Sequence, residues 1–287
     1  MKKEQLKYFP KTKDELLEII EQRIAEEGDE VDLNDIDVSA ITDMSYLFAN
    51  INFNGDISRW DVSNVTDIHS MFFECKNFNG DISDWNVSNV TDMNSMFAGC
   101  KKFNKDISKW NVSKVTDMRE MFSWCKNFNQ PISKWNVSNV TNMSWMFQRC
   151  EKFNRDISNW DVSKVIYMYN MFYGCKNFNQ DISMWDVSNV IDMSDMFRGC
   201  EKFDQDISNW NVSKVIYMYN MFYGCENFNQ DISKWNVSNV TNMSCMFQGC
   251  KKFNQDISKW DVSNVNKMIR TFSDCPIKDE YKPKFNK

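Results

Sequence analysis

Apolar residues recur along this chain at two spacings that alternate within a fixed frame. Val65, Ile68, Met71, Phe72, Cys75 and Phe78 stand three or four apart, the spacing of a short helical or 3-10 segment with one inward face. Ile57, Trp60 and Val62 follow apolar-x-x-apolar-x-apolar, with Val65 three further on. That pattern predicts a short parallel strand centred near residues 59–62 of each period. The frame returns every 25 residues from Phe53 almost to the C-terminus: a tryptophan column runs from Trp60 to Trp260 and a cysteine column from Cys75 to Cys275. A fixed period of this size predicts like coils, each too small to bury its own apolar face and each covered by its neighbours. The expected fold is an α/β solenoid of about ten coils, roughly 45–50 Å long at ~4.8 Å per coil.

The ends differ from the repeat. Thr12 and Glu15 make a capping-box pattern, Leu16, Leu17, Ile20 and Ile24 form one apolar stripe, and Gly28 supplies a stop. Residues 1–30 are therefore expected to form an amphipathic helix over the open end of the stack, with Glu18, Glu21, Glu26 and Glu27 facing outward. Residues 31–275 are expected to be the solenoid, opening on a degenerate coil in which Ile36 stands for the tryptophan. Residues 276–287, with Pro276 and Pro283, read as a closing tail. Residues 164–175 recur unchanged as residues 214–225, a duplication of two coils.

Composition narrows the chemistry. Only 8 Gly and 4 Pro occur in 287 residues, so Asn, Asp and Ser must make most turns. A net charge of −6 leaves no footprint for nucleic acid. No apolar run is long enough for a transmembrane helix. With one histidine, His69, there is no Ser-His-Asp set, no phosphate loop and no metal cluster, so the sequence predicts neither an enzyme nor a cofactor. Cysteines stacked ~4.8 Å apart exceed the Cβ separation of about 3.8 Å that a disulfide needs. A reduced, buried thiol column is expected, with Cys245, outside that column, as the reactive exception. Asn54 and its equivalents to Asn254, broken only by Asp204, read as a structural amide ladder.

Two surfaces are candidates for recognition. Beside the expected strand, the residue before each tryptophan varies: Arg59, Asp84, Lys109, Lys134, Asn159 and Met184. Next to them would lie Asp61, Asn86, Asn111, Asn136, Asp161 and Asp186. Tyr167, Tyr169, Tyr217 and Tyr219 occupy positions elsewhere polar and are expected to form an aromatic patch on the opposite, convex side. The tryptophan column reads as a core spine, the alternative being an exposed sugar-stacking array.

The text V-x-x-M-x-x-M-F-x-x-C-x-x-F-N-x-D-I-S-x-W-D-V-S over residues 32–275 resembles the mycoplasma-type 25-residue repeat. That repeat is grouped with the BspA-like leucine-rich-repeat surface proteins. The resemblance implies an open, right-handed leucine-rich-repeat-like stack. It also implies a non-catalytic role in adhesion or in binding a protein or host macromolecule, with no catalytic residues to transfer. Location is read two ways: no apolar leader follows the charged start, which reads as cytoplasmic, whereas the resemblance implies a surface or secreted protein.

Overall fold

The computed structural model describes residues 6–285. The charged start at residues 1–5 and the last two residues of the expected tail lie outside that range. Helix α1, Lys13–Glu27, is capped by Thr12, whose hydroxyl accepts the Glu15 N–H at 3.2 Å. Leu16 and Ile20 are fully buried. Arg23, on the same helix, is buried as well; its guanidinium meets the Asp35 carboxylate at 2.9 Å and the Asp32 carbonyl at 3.0 Å. A single parallel bridge from Tyr8 to Ile36 joins the lead-in to the first coil, and a one-turn 3-10 segment, Asp279–Tyr281, follows the last.

Between these ends each coil is a succession of β-turns rather than a strand and a helix. The expected strand at 59–62 is absent: those residues lie in turns closed by Trp60 N–H to Ile57 O and Val65 N–H to Val62 O. Apart from one between Asp32 and Asp56, the parallel bridges between coils lie instead at the Asp67 position, from Asp43 through Asp67, Asp92, Asp117, Asn142, Tyr167, Asp192, Tyr217 and Asn242 to Lys267. Nor is the Val65–Phe78 spacing helical. Ile68 O accepts from Met71 N–H and Phe72 O from Cys75 N–H, and the third residue of each turn is left-handed (Ser70 φ 53°, Glu74 φ 55°), as a type II turn requires. Such turns return a side chain to the interior every three or four residues, which mimics helical spacing in sequence.

The same turns dictate how coils join. Alternate amides close turns within the coil, while Ile68, Ser70, Phe72 and Glu74 donate to the carbonyls of Asp92, Asn94, Met96 and Ala98 in the next coil at 2.6–3.3 Å. This ladder, about residues 66–74 of each period, is the sheet-like side of the molecule. Across the core from it, Trp85 packs on Phe72 with ring centroids 6.5 Å apart. Phenylalanines stack along the axis, with Phe97 5.7 Å from Phe122 and Phe122 5.7 Å from Phe147. Tryptophans stack likewise, Trp60 lying 6.4 Å from Trp85.

Side chains bridge the coils away from the ladder. Asn79 N–H donates to Asn54 Oδ1 at 2.9 Å. Where the column changes to Asp204, its carboxylate accepts the Asn229 N–H at the same 2.9 Å, because only the oxygen is used. Trp85 Nε1 donates to Ile57 O at 3.1 Å and Cys100 Sγ to Phe72 O at 3.0 Å, both across to the preceding coil. The nine tryptophans of the column are 3–5% exposed, which removes the sugar-stacking alternative. Cysteines 75 through 250 of the column are free and buried, whereas Cys275 and Cys245 are half-buried.

Two outcomes test this architecture. Deleting residues 151–175 joins Cys150 to Lys176 with every column in register, so the shortened chain should melt cooperatively. Deleting twelve residues of that period should instead set buried positions against turn positions and abolish cooperative melting. Equal behaviour of the two deletions in thermal melts followed by circular dichroism would argue for a closed globular domain.

The thiol column sets an alkaline limit. Burial pushes the Cys75 thiol up to about 12 and holds Cys100, Cys150 and Cys200 well above the ordinary range. These groups stay neutral when folded and ionise near pH 8.5 when unfolded, so their contribution is complete below that pH and lost as pH rises. Each such thiol costs about 1.4 kcal/mol per pH unit above it. Urea unfolding between pH 8 and 11 should therefore show falling stability, with a shallower fall when three column cysteines are replaced by alanine. An unchanged slope in that variant contradicts a buried, protonated column.

Candidate functional site

The turn-side candidates are exposed but largely committed to the scaffold. Asp61, Asn86, Asn111, Asn136, Asp161 and Asp186 each use Oδ1 to accept the N–H of the serine two residues on, at 3.0–3.2 Å. These are Asx turns, which Asp and Asn make equally well, so their interchange along the column follows from turn chemistry. In the neighbouring column, Lys109 Nζ lies 3.1 Å from Asp84 and Arg59 3.8 Å from Asp32. Lys134 and Asn159 are exposed, and Met184 is 84% exposed. No cavity brings these residues together among the described pockets.

The tyrosines sit elsewhere than expected. Tyr167 and Tyr217 stand in the bridge column itself, so the patch lies on the ladder rather than opposite it. Tyr167, Tyr217 and Tyr219 are 39–46% exposed, and Tyr169 is half-buried against Trp145, edge to face at 4.3 Å. Asp192 occupies the bridge column between Tyr167 and Tyr217. Its Oδ1 accepts the Ser194 N–H at 2.8 Å, and among the described residues it forms no ion pair.

Further along the ladder lies an arrangement that periodicity alone did not single out. Arg198 stands one coil after Tyr173 and one before Tyr223, its guanidinium carbon 5.2 and 4.9 Å from their ring centroids. Asp195 accepts from the same guanidinium at 3.1 Å. Arg149 lies over Trp124 at 5.3 Å and over Tyr173 at 4.7 Å, and donates to the tyrosine hydroxyl at 2.9 Å. Burial and the Asp195 partner act oppositely on Arg198, and its net shift is upward, so it stays cationic.

Beside this wall runs a groove of about 300 Å³. Its floor is Gly174, Gly199 and Gly224, all left-handed (φ 69–72°), and its far wall includes Lys176, Glu201 and Glu226. The groove narrows where Arg149 crosses the floor: a β-carbon at Gly174 would meet Arg149 Cδ at 2.9 Å. Trp124 and Arg149 fill the same column with φ 62° and 58°, a conformation that disfavours bulky side chains. The sequence signal that could have found this site was the unbroken run of glycine at 174, 199, 224 and 249, after Glu74, Gly99, Trp124 and Arg149 in the same column. No group of His, Cys, Asp or Glu among the described residues could hold a metal ion, and no described helix is long and apolar enough to cross a membrane.

Comparison with known proteins identifies the repeat. The family described as Mycoplasma protein of unknown function, DUF285, matches residues 20–123, 104–196 and 168–282. No curated protein sequence matches significantly. Among solved structures, the crystal structure of the TLR13–ssRNA13 complex is similar at 11% identity, over 89% of this chain and 46% of that one, with a TM-score of 0.27. A leucine-rich repeat protein from Bacteroides ovatus is 12% identical over 86% of this chain and 88% of its own, with a TM-score of 0.26. The functional domain of InlJ from Listeria monocytogenes, which includes a cysteine ladder, is 11% identical over 83% of this chain and 59% of its own, with a TM-score of 0.22. At these TM-scores the overlays carry no argument; the coil geometry carries the fold.

If the Arg198 stack contributes as cation–π geometry implies, Arg198→Met should cost about 1–2 kcal/mol, because the stem remains while both ring contacts and the Asp195 pairing are lost. Urea midpoints of the two proteins measure this. A difference under about 0.3 kcal/mol means the stack adds nothing to stability.

Proposed function

Because the chain belongs to the DUF285 family of mycoplasma proteins, whose description assigns no activity, we propose its function from the molecule itself: a non-catalytic scaffold that binds a protein partner through the ladder face. The observation that carries this reading is the concentration of half-exposed aromatics on the ladder. Trp124, Tyr167, Tyr217 and Tyr219 are 39–46% exposed there, on backbone held by coil-to-coil hydrogen bonds. Aromatic residues on a rigid support are what protein interfaces enrich, since they bury large area at low entropic cost. The turn face offers less, being occupied by Asx turns and lysine–carboxylate pairs.

The finer reading rests on the repeat's resemblance to BspA-like leucine-rich-repeat surface proteins. In our proposal the partner is a cell-surface or host macromolecule, and binding serves adhesion. The absence of an enzyme role belongs to the same proposal, supported by the commitment of the repeated polar columns to turns and ladders.

Substitutions drawn from each column's own residues test the choice of face while sparing the scaffold. Tyr217→Asn with Tyr219→Ser places on the ladder what Asn242 and Ser244 already carry one coil on. Lys134→Asn with Met184→Asn does the same on the turn side, where Asn159 and Asn209 stand one coil on. In quantitative capture of proteins by the immobilised chain, the ladder pair should weaken the specific signal at least tenfold and the turn pair less than twofold. The reverse ranking overturns the assignment of the face.

A further inference from the structure

The ladder already contains one filled example of a site that it presents a second time unfilled. Two tyrosines separated by one coil stand about 10 Å apart, two rises of a parallel ladder, which leaves room for one flat group between the rings. In the column of Tyr173 and Tyr223 the intervening coil supplies that group itself. Arg198 lies 5.2 and 4.9 Å from the two centroids and is paired with Asp195 at 3.1 Å.

In the bridge column of the same three coils the residues are Tyr167, Asp192 and Tyr217. Here the intervening coil supplies the carboxylate and no cation. In-register parallel coils send equivalent side chains the same way, so Asp192 sits at the base of the gap between two tyrosines that are 39% and 46% exposed. The Tyr169–Ser194–Tyr219 positions two residues on repeat the gap with a small residue at its base.

We propose that the Tyr167–Asp192–Tyr217 slot binds an arginine side chain of a basic segment on the partner protein, reproducing between chains the Tyr173–Arg198–Tyr223 stack. This rests on the ladder-face reading above and names the chemistry of the partner. Three features favour a guanidinium over other occupants. A cation is attracted to the ring faces on both sides, at the distances the internal copy displays. The Asp192 carboxylate has one oxygen beyond its Asx bond to accept from the guanidinium fork. The chain carries a net charge of −6, which favours encounter with a basic partner. The recurrence of residues 164–175 fifty residues on, as residues 214–225, is what sets two tyrosine coils at the required separation.

The test uses the full chain and a fluorescein-labelled peptide of alternating glycine and arginine, with its citrulline counterpart as the neutral isostere. Anisotropy titrations at about 150 mM salt should show saturable binding of the arginine peptide and at least tenfold weaker binding of the citrulline one. Asp192→Asn removes the charge but keeps the Asx turn, as Asn142 and Asn242 do with Oδ1 to serine N–H distances of 3.0 Å. That variant, and Tyr217→Asn, should each weaken the arginine peptide at least tenfold. Asp84→Asn changes net charge equally but lies on the turn side, and should act less than twofold. Asp192→Arg should abolish binding by filling the slot from within.

Equal losses from Asp192→Asn and Asp84→Asn would reduce the effect to bulk charge and overturn the slot. So would indifference to Tyr217→Asn, or failure of the arginine peptide to saturate. Should the peptide fail while protein capture still depends on Tyr217 and Tyr219, the slot is wrong and the ladder-face reading stands. Should capture also ignore those tyrosines, both fall.

Discussion

A coil made of successive β-turns cannot satisfy its own backbone, and the rest of this structure depends on that deficit. Each left-handed residue at the Ser70 and Glu74 positions tightens the chain so that alternate amides close turns and the others point along the axis. The outward-pointing amides have partners only in the next coil. An isolated coil would leave several donors without acceptors beside an apolar interior, at about 1–3 kcal/mol for each one buried. Stacking is therefore a condition of folding.

The choice of residues at the columns follows from the same accounting. Tryptophan and cysteine occupy fully packed positions, where phenylalanine or valine could supply similar apolar contact. Both bring a donor, and both donors cross to the preceding coil: indole N–H to an isoleucine carbonyl, thiol S–H to a phenylalanine carbonyl. Asparagine in the Asn54 column accepts an amide of the next coil. The core thus adds side-chain hydrogen bonds to the backbone ones of the ladder in tying its coils together. Ionising a thiol would break one such tie and place a charge in the core.

Recognition falls to the positions that this scaffold leaves unassigned. On the turn side even exposed acids are spent on Asx turns, and their carboxylates are held below the usual range by the serine that follows, as at Asp106, Asp156 and Asp206. On the ladder the exposed side chains alternate with those pointing inward; the Asp and Asn of the bridge column make Asx turns there too, with one oxygen each, whereas Tyr167 and Tyr217 in the same column have no such turn to make. Their variation from coil to coil, with tyrosine in two coils, aspartate and arginine between them and glycine beside them, forms relief on a regular support. The left-handed column strengthens this: glycine opens the groove, and Trp124 and Arg149 close its end at a conformational cost that their ring and cation contacts offset.

The period, the buried columns of Ile, Trp, Val, Met, Phe and Cys, the amide ladder and the helix at Lys13–Glu27 could all be read from the linear text. Each depends on spacing or local capping, which a sequence displays directly. The position of the ladder could not be read in the same way. Apolar-x-x-apolar-x-apolar at Ile57, Trp60 and Val62 suits a strand or a pair of turns, and Asp56–Ser58 and Asp61–Ser63 Asx bonds decided for turns. Helical spacing from Val65 to Phe78 is likewise shared by consecutive β-turns, and inter-coil hydrogen bonding selected them. That choice moved the sheet-like face by about eight residues within the period and brought Tyr167 and Tyr217 onto it. The Trp124, Arg149, Tyr173, Arg198 and Tyr223 contacts join residues 24 to 25 apart that touch only because coils stack in register. Sequence determined what repeats; tertiary structure decided which side of the repeat faces a partner, because that depends on where backbone amides find acceptors in another coil.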